Sequence, residues 1–221
     1  MGKFNEQNNF MYLVAALLTL LLALPLFAMF EQGPLQWMTR LLIITTLLFS
    51  YLSLDFGRWW GRFVLLALFL LIATSAAHLV YPDYSPSSAH LVLLLLFFGS
   101  MAYSAGRRVL LQGAIDSNRI VGSIAVYLLL GLVWAMLYLL LLEFVPTAIH
   151  GIEYQSWEDN FVNVAYFSFV TLTTLGYGDI FPAHPTSSAL AYLQAICGAF
   201  YMSVVVASLV GARTPASRRK G

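Results

Sequence analysis

The run Thr171-Leu172-Thr173-Thr174-Leu175-Gly176-Tyr177-Gly178-Asp179 combines oxygen-bearing side chains with two glycines at alternate positions. A dehydrated cation inside a membrane must have its water replaced by oxygen atoms, and backbone carbonyls can supply them when successive residues face one side. An ordinary extended strand alternates its carbonyl directions. Alternate residues must therefore leave the usual regions of backbone space, which glycine does at little steric cost. Gly176 and Gly178 have the required spacing. Thr174 adds a hydroxyl at the inner end, Leu175 contributes a carbonyl and an apolar side chain, and Tyr177 packs outward to brace the strand.

The element that must position this strand lies just before it. Residues from Asn160 to Thr173 are apolar and aromatic enough for a short buried helix that enters from outside and ends near the membrane centre. Its C-terminal dipole then offers partial negative charge to a waiting cation. The stretch Phe161 to Ile180, between Pro146 and Pro182, is too rich in threonine and clustered glycine for a lipid-facing span. Such re-entrant backbone is tolerated in a membrane only where protein or water covers it.

The rest of the chain supplies the membrane. Of 221 residues, 60% are hydrophobic and 10% charged, against about 25% charged in soluble domains. This excludes a soluble enzyme, a disordered tail and a nucleic-acid binder with a basic face. The single cysteine, Cys197, excludes an intrachain disulfide framework. With about 20 apolar residues per span, six spans are expected near 10–30, 37–54, 63–81, 89–105, 120–142 and 187–211. Lys3, Arg58, Arg62, Arg107, Arg108, Arg119, Arg213, Arg218, Arg219 and Lys220 then fall inside and only Arg40 outside. Glu31, Asp83, Glu143, Glu153, Glu158, Asp159 and Asp179 fall outside. By the positive-inside rule both termini are cytoplasmic. The expected fold is all-α and integral to the plasma membrane, with six transmembrane helices plus a re-entrant pore helix and filter loop.

Thr173-Thr174-Leu175-Gly176-Tyr177-Gly178-Asp179 resembles the selectivity filter of potassium channels, whose signature is Thr-Val-Gly-Tyr-Gly-Asp. Leu175 stands where valine is usual. Helix, re-entrant segment and helix over about 119–213 resemble the pore module of that superfamily, and six spans with the filter between the last two resemble its voltage-gated layout. The resemblance implies a filter of Thr174, Leu175, Gly176, Tyr177 and Gly178 that binds potassium through carbonyls and the threonine hydroxyl, supported by Thr173 and Asp179. Phe167 aligns where many relatives have a tryptophan that braces the filter aspartate, and Val170 where some have a supporting glutamate. Four filter strands must ring an ion, so a homotetramer is implied. Gly198 aligns with the hinge glycine of the inner helix, although an isolated helical glycine in a membrane is equally a close-packing site. On the same alignment Ala199, Met202, Val206 and Val210 line the pore, with Val206 and Val210 as a hydrophobic gate.

The domain reading is a four-helix unit over 1–105 like an uncharged voltage sensor, a cytoplasmic linker helix over 106–118, a pore domain over 119–213 and a short basic tail over 214–221. The fourth span, Ala89 to Ala105, contains no lysine or arginine, so steep voltage gating is not expected. The tail Arg213 to Gly221 is expected to be too short for a ligand-binding module, and its basic residues read first as a positive-inside tail, with contact to anionic lipid headgroups as the alternative. His150 and His184 lie in the outer loops, where histidine can sense pH. The function expected is passive potassium transport with no cofactor, no covalent catalysis and no nucleic-acid partner, gating being left to an unknown stimulus or partner subunit. Its rivals are a cation pore that does not prefer potassium to sodium, and a transporter or membrane enzyme built on the first four helices. The second rival lacks a cluster of His, Asp or Glu inside any span, and His78 is an interfacial residue on this reading.

Overall fold

The computed structural model describes residues 9–28, 45–53, 58–80, 87–111 and 117–213. Helices α1 (Asn9–Ala28), α2 (45–53), α3 (Arg58–Val80) and α4 (Ser87–Leu111) lead into α5 (Ser117–Phe144). Strand β1 (Ile149–His150), helix α6 (Trp157–Leu172), strand β2 (Phe181–Pro182) and helix α7 (Pro185–Arg213) complete the order. Five of the expected spans overlie α1, α3, α4, α5 and α7. The second, 37–54, lies outside the described residues except over α2. Helix α4 runs on to Leu111, through the first half of the segment expected as a linker. Residues 112–116 and the tail 214–221 lie outside the described residues.

Among the described residues, three helices are long and apolar enough to cross a membrane: Ser87–Val109, Asn118–Phe144 and Pro185–Val205. At 1.5 Å rise per residue each matches or exceeds a hydrocarbon core of about 30 Å. The described apolar runs of α1 and α3, Phe10–Ala23 and Trp60–Ser75, are shorter. The chain is therefore a helical membrane protein.

Helix α5 is the spine, packing against α4, α1, α6 and α7. Its buried residues Ala125, Leu129, Leu132, Ala135, Met136, Leu139 and Leu142 cover more than one face, as a helix enclosed by neighbours requires. In lipid such helices associate through close packing and internal hydrogen bonds, because tails are as apolar as leucine. Two glycines serve that end on α5. A Cβ on Gly122 would meet Val109 and Phe10, and one on Gly131 would strike the Phe169 ring of α6.

The β pair fixes the ends of the segment between α5 and α7. Ile149 pairs with Pro182 and His150 with Phe181, antiparallel. The Ala183 N–H donates to the Ala148 carbonyl at 2.9 Å. The Ser187 hydroxyl donates to the same carbonyl at 2.6 Å. Chain leaving α5 and chain entering α7 are thus held together. Helix α6, at 16 residues about 24 Å long and too short to span, is contained with its following loop in one excursion.

Candidate functional site

Helix α6 begins on a reciprocal cap. Ser156 is extended (φ −140°, ψ 163°) and its Oγ accepts the Asp159 N–H at 3.2 Å while donating to Asp159 Oδ2 at 2.7 Å. A serine N-cap of this kind satisfies an otherwise orphaned amide, and Glu158 and Asp159 complement the helix dipole. Buried Asn160 seals the loop before it: Oδ1 accepts the Gln155 N–H and Nδ2 donates to the Glu153 carbonyl, both at 2.9 Å. Tyr154 donates to Glu143 and fastens that loop to the end of α5.

The helix ends on a Schellman motif that creates the first unusual residue of the loop. The Leu175 N–H donates to the Val170 carbonyl at 2.9 Å and the Thr174 N–H to the Thr171 carbonyl at 3.0 Å. That pattern puts its C′ residue, here Thr174, in the left-handed region, and Thr174 has φ 57°. A β-branched residue there is a true outlier, and such strain persists only where the surroundings impose it. Gly176 and Gly178 follow at φ 60° and 83°, and among the described non-glycine residues Thr174 alone has positive φ. Handedness therefore alternates from 174 to 178, the condition for turning successive carbonyls to one side. Among the described residues, no backbone N–H donates to the carbonyls of Thr174 to Gly178, and residues 173–179 are all exposed.

One side chain clasps this loop to α6. The Tyr166 hydroxyl donates to Asp179 Oδ2 at 2.8 Å, and its ring stacks on Tyr177, with centroids 6.5 Å apart and planes 6° from parallel. This hydrogen bond, with the backbone N–H groups of Asp179 and Ile180, holds the Asp179 carboxyl below its ordinary range. Gly151 (φ 85°) lets the loop after β1 approach, since a Cβ there would lie 2.6 Å from the Asp179 carbonyl oxygen.

The brace expected at Phe167 is thus made one residue earlier. Phe167 turns to α5, buried edge-on against Tyr138 at 4.9 Å between centroids. Adjacent residues on a helix point about 100° apart, so only one of the two can face the loop. Val170 acts through its carbonyl, and Thr173 returns its hydroxyl to the Phe169 carbonyl at 2.7 Å. Gly198 is a contact point: a Cβ there would collide with the Leu172 carbonyl. Ala199 and Met202 are exposed on α7. Val206 and Val210 belong to the same helix, but their side chains lie outside the described residues. Beside the β pair, the His150 ring lies 4.6 Å from that of Phe181, and His184 Nδ1 accepts the Thr186 N–H at 3.3 Å.

Behind α6 lies a set of polar residues not anticipated from sequence. Tyr138, Ser168 and Gln194 are fully buried and joined by hydrogen bonds across α5, α6 and α7. A signal existed, because a polar side chain inside an apolar span is by default a functional candidate. Tyr127, whose hydroxyl reaches the Leu172 carbonyl at 3.3 Å, completes the back of the helix end.

Residues 123–212 match a protein family described as Ion channel. Over this segment the chain resembles ion channels. The inward rectifier potassium channel Kirbac3.1 of Paramagnetospirillum magnetotacticum is 32% identical over 87 residues, 39% of this chain. The matched stretch spans 26% of that relative's length. No solved structure matches.

Proposed function

We propose that the chain is a subunit of a potassium-selective channel that passes K⁺ down its electrochemical gradient without covalent chemistry or a cofactor. The observation that carries this reading is the alternation of left-handed backbone at Thr174, Gly176 and Gly178, on a loop whose carbonyls accept no backbone hydrogen bond among the described residues. Oxygens so arranged replace the hydration shell of a permeating ion. The likeness of part of the chain to an inward rectifier potassium channel supports potassium as the ion.

The remaining parts follow from what such a filter needs. One chain supplies one strand and a ring needs four, so the working unit is a homotetramer with α7 nearest the axis. Helix α6 is the re-entrant pore helix, and the paired β1 and β2 at the ends of its excursion support that reading. Six spans, both termini cytoplasmic and a plasma-membrane location agree with the charge segregation of the loops. Ala199, Met202, Val206 and Val210 line the inner pore, while the first four helices form a unit without gating charge.

The test is a planar-bilayer recording of purified protein with potassium on one side and sodium on the other. A reversal potential near the potassium equilibrium value is the expected result. A reversal near zero makes the protein a cation pore without preference, and absence of current removes the channel reading.

A further inference from the structure

We propose that Gln194 is a positioning residue that ties the inner helix α7 to the last turn of the pore helix, so that ion selection depends on its amide. The inference rests on the channel reading above. Gln194 Nε2 donates to the Ser168 carbonyl and to Ser168 Oγ, each at 2.8 Å. Its Oε1 accepts the Tyr138 hydroxyl at 2.8 Å, and Ser168 Oγ donates to the Gly131 carbonyl at 2.7 Å. The chemistry leaves one assignment of protons. Carbonyls only accept, so the amide nitrogen must face Ser168 and the serine proton must face Gly131, which turns the tyrosine proton toward Gln194. Both amide hydrogens are used, and the bonds run in one direction through a buried region where each polarises the next.

The placement gives the network its role. Ser168 lies one turn before Leu172 on α6, and Gln194 one turn before Gly198 on α7. Gly198 in turn presses on the Leu172 carbonyl. The two helices are therefore registered at two levels a turn apart, one within and one just before the Schellman motif that sets Thr174. A tilt or slide of α7 must break the amide's bonds or carry the end of α6 with it, and the first residues of the loop move with that end.

The experiment compares wild-type tetramers with Gln194→Met, which keeps length and loses every bond, and with Ser168→Ala, alone and combined. Relative potassium-to-sodium permeability is read from reversal potentials, and thermal midpoint and tetramer yield are recorded beside it. Each single variant is expected to lose about tenfold in permeability ratio, the scale of a buried polar group left unpaired. The double variant should lose clearly less than the product of the two single losses, because both changes cut the Gln194 Nε2–Ser168 Oγ bond of one linked network. Assembled variants with wild-type ratios, or losses that multiply, overturn the proposal. Should Gln194→Met fail to assemble, Tyr138→Phe with Ser168→Ala reads the same coupling with packing retained. A selective wild type with unaffected variants refutes this role alone, whereas a wild type without potassium preference refutes the channel reading and the proposal with it.

Discussion

Gly198 and Leu172 meet backbone to backbone, with the carbonyl that closes α6 occupying the space a side chain at 198 would need. Close approach accounts for the glycine without a bend in α7. Gly198→Ala should therefore act on assembly, separating α7 from α6 at a cost of about 1–3 kcal/mol, the usual scale of overpacking. The check is thermal melting of the purified protein. An unchanged midpoint combined with altered opening would make Gly198 a hinge instead.

A different cost applies at Gly176 and Gly178. A Cβ at either has nothing within 4 Å, so space is no obstacle and the φ values of 60° and 83° decide. An L-residue held left-handed pays about 1–2 kcal/mol, which relaxation of the strand can avoid by turning a carbonyl away. Gly176→Ala and Gly178→Ala should abolish selective current while leaving protein yield measurable. Normal potassium flux through assembled Gly178→Ala channels would remove the filter assignment.

The glycine spacing made this loop legible in the sequence, because two residues free to adopt positive φ at alternate positions are what aligned carbonyls require. Thr174 completes the alternation, yet a threonine gives no local sign of left-handed backbone. The Schellman bonds from Leu175 and Thr174 impose it. The aromatic brace was legible as a region and mistaken by one residue. Tyr166 and Phe167 are both aromatic, and the packing of Phe167 on Tyr138 selects which one turns to Asp179. Gln194 was visible as a lone amide in an apolar helix. Its partners lie 26 and 56 residues away in sequence, and no periodicity links them. The helices before α5 are apolar over most of their length, so their pattern does not specify which neighbour each one meets.

The Tyr166–Asp179 clasp makes a prediction in pH. Asp179 is held below the ordinary carboxylate range, chiefly by the Tyr166 hydroxyl. A lowered folded value means the bond contributes fully above the ordinary carboxylate value of about 4 and is lost as pH falls through the lower folded value. Between external pH 8 and 5 the clasp should hold, with decay of maintained current independent of pH. Tyr166→Phe keeps the ring against Tyr177 and removes the hydroxyl, so decay should be several-fold faster across the whole range. Decay in Tyr166→Phe that matches wild type would show that the clasp does not support the loop.

Membrane voltage should not open the channel steeply. Moving one charge through 100 mV is worth about 2.3 kcal/mol, and steep gating takes roughly 3–4 charges per subunit. Helix α4 has no lysine or arginine from Ser87 to Gly106, and its first basic residues are Arg107 and Arg108. The Arg107 guanidinium lies over the Tyr103 ring, 5.8 Å from its centroid. Arg119 of α5 donates to the Val109 and Arg108 carbonyls, pinning the C-terminal end of α4 to the next helix. To sense the field, Arg107 and Arg108 would have to leave the membrane surface for hydrocarbon at about 2.5–3.5 kcal/mol each and break that attachment. The measurement is a conductance–voltage curve in symmetrical potassium, with Arg107 and Arg108 neutralised in parallel. The expected curve is shallow, arises from permeating ions crossing the filter, and is unchanged by neutralisation. A steep sigmoid equivalent to more than about four charges per tetramer, lost on neutralising those arginines, would assign α4 the sensing role denied it here.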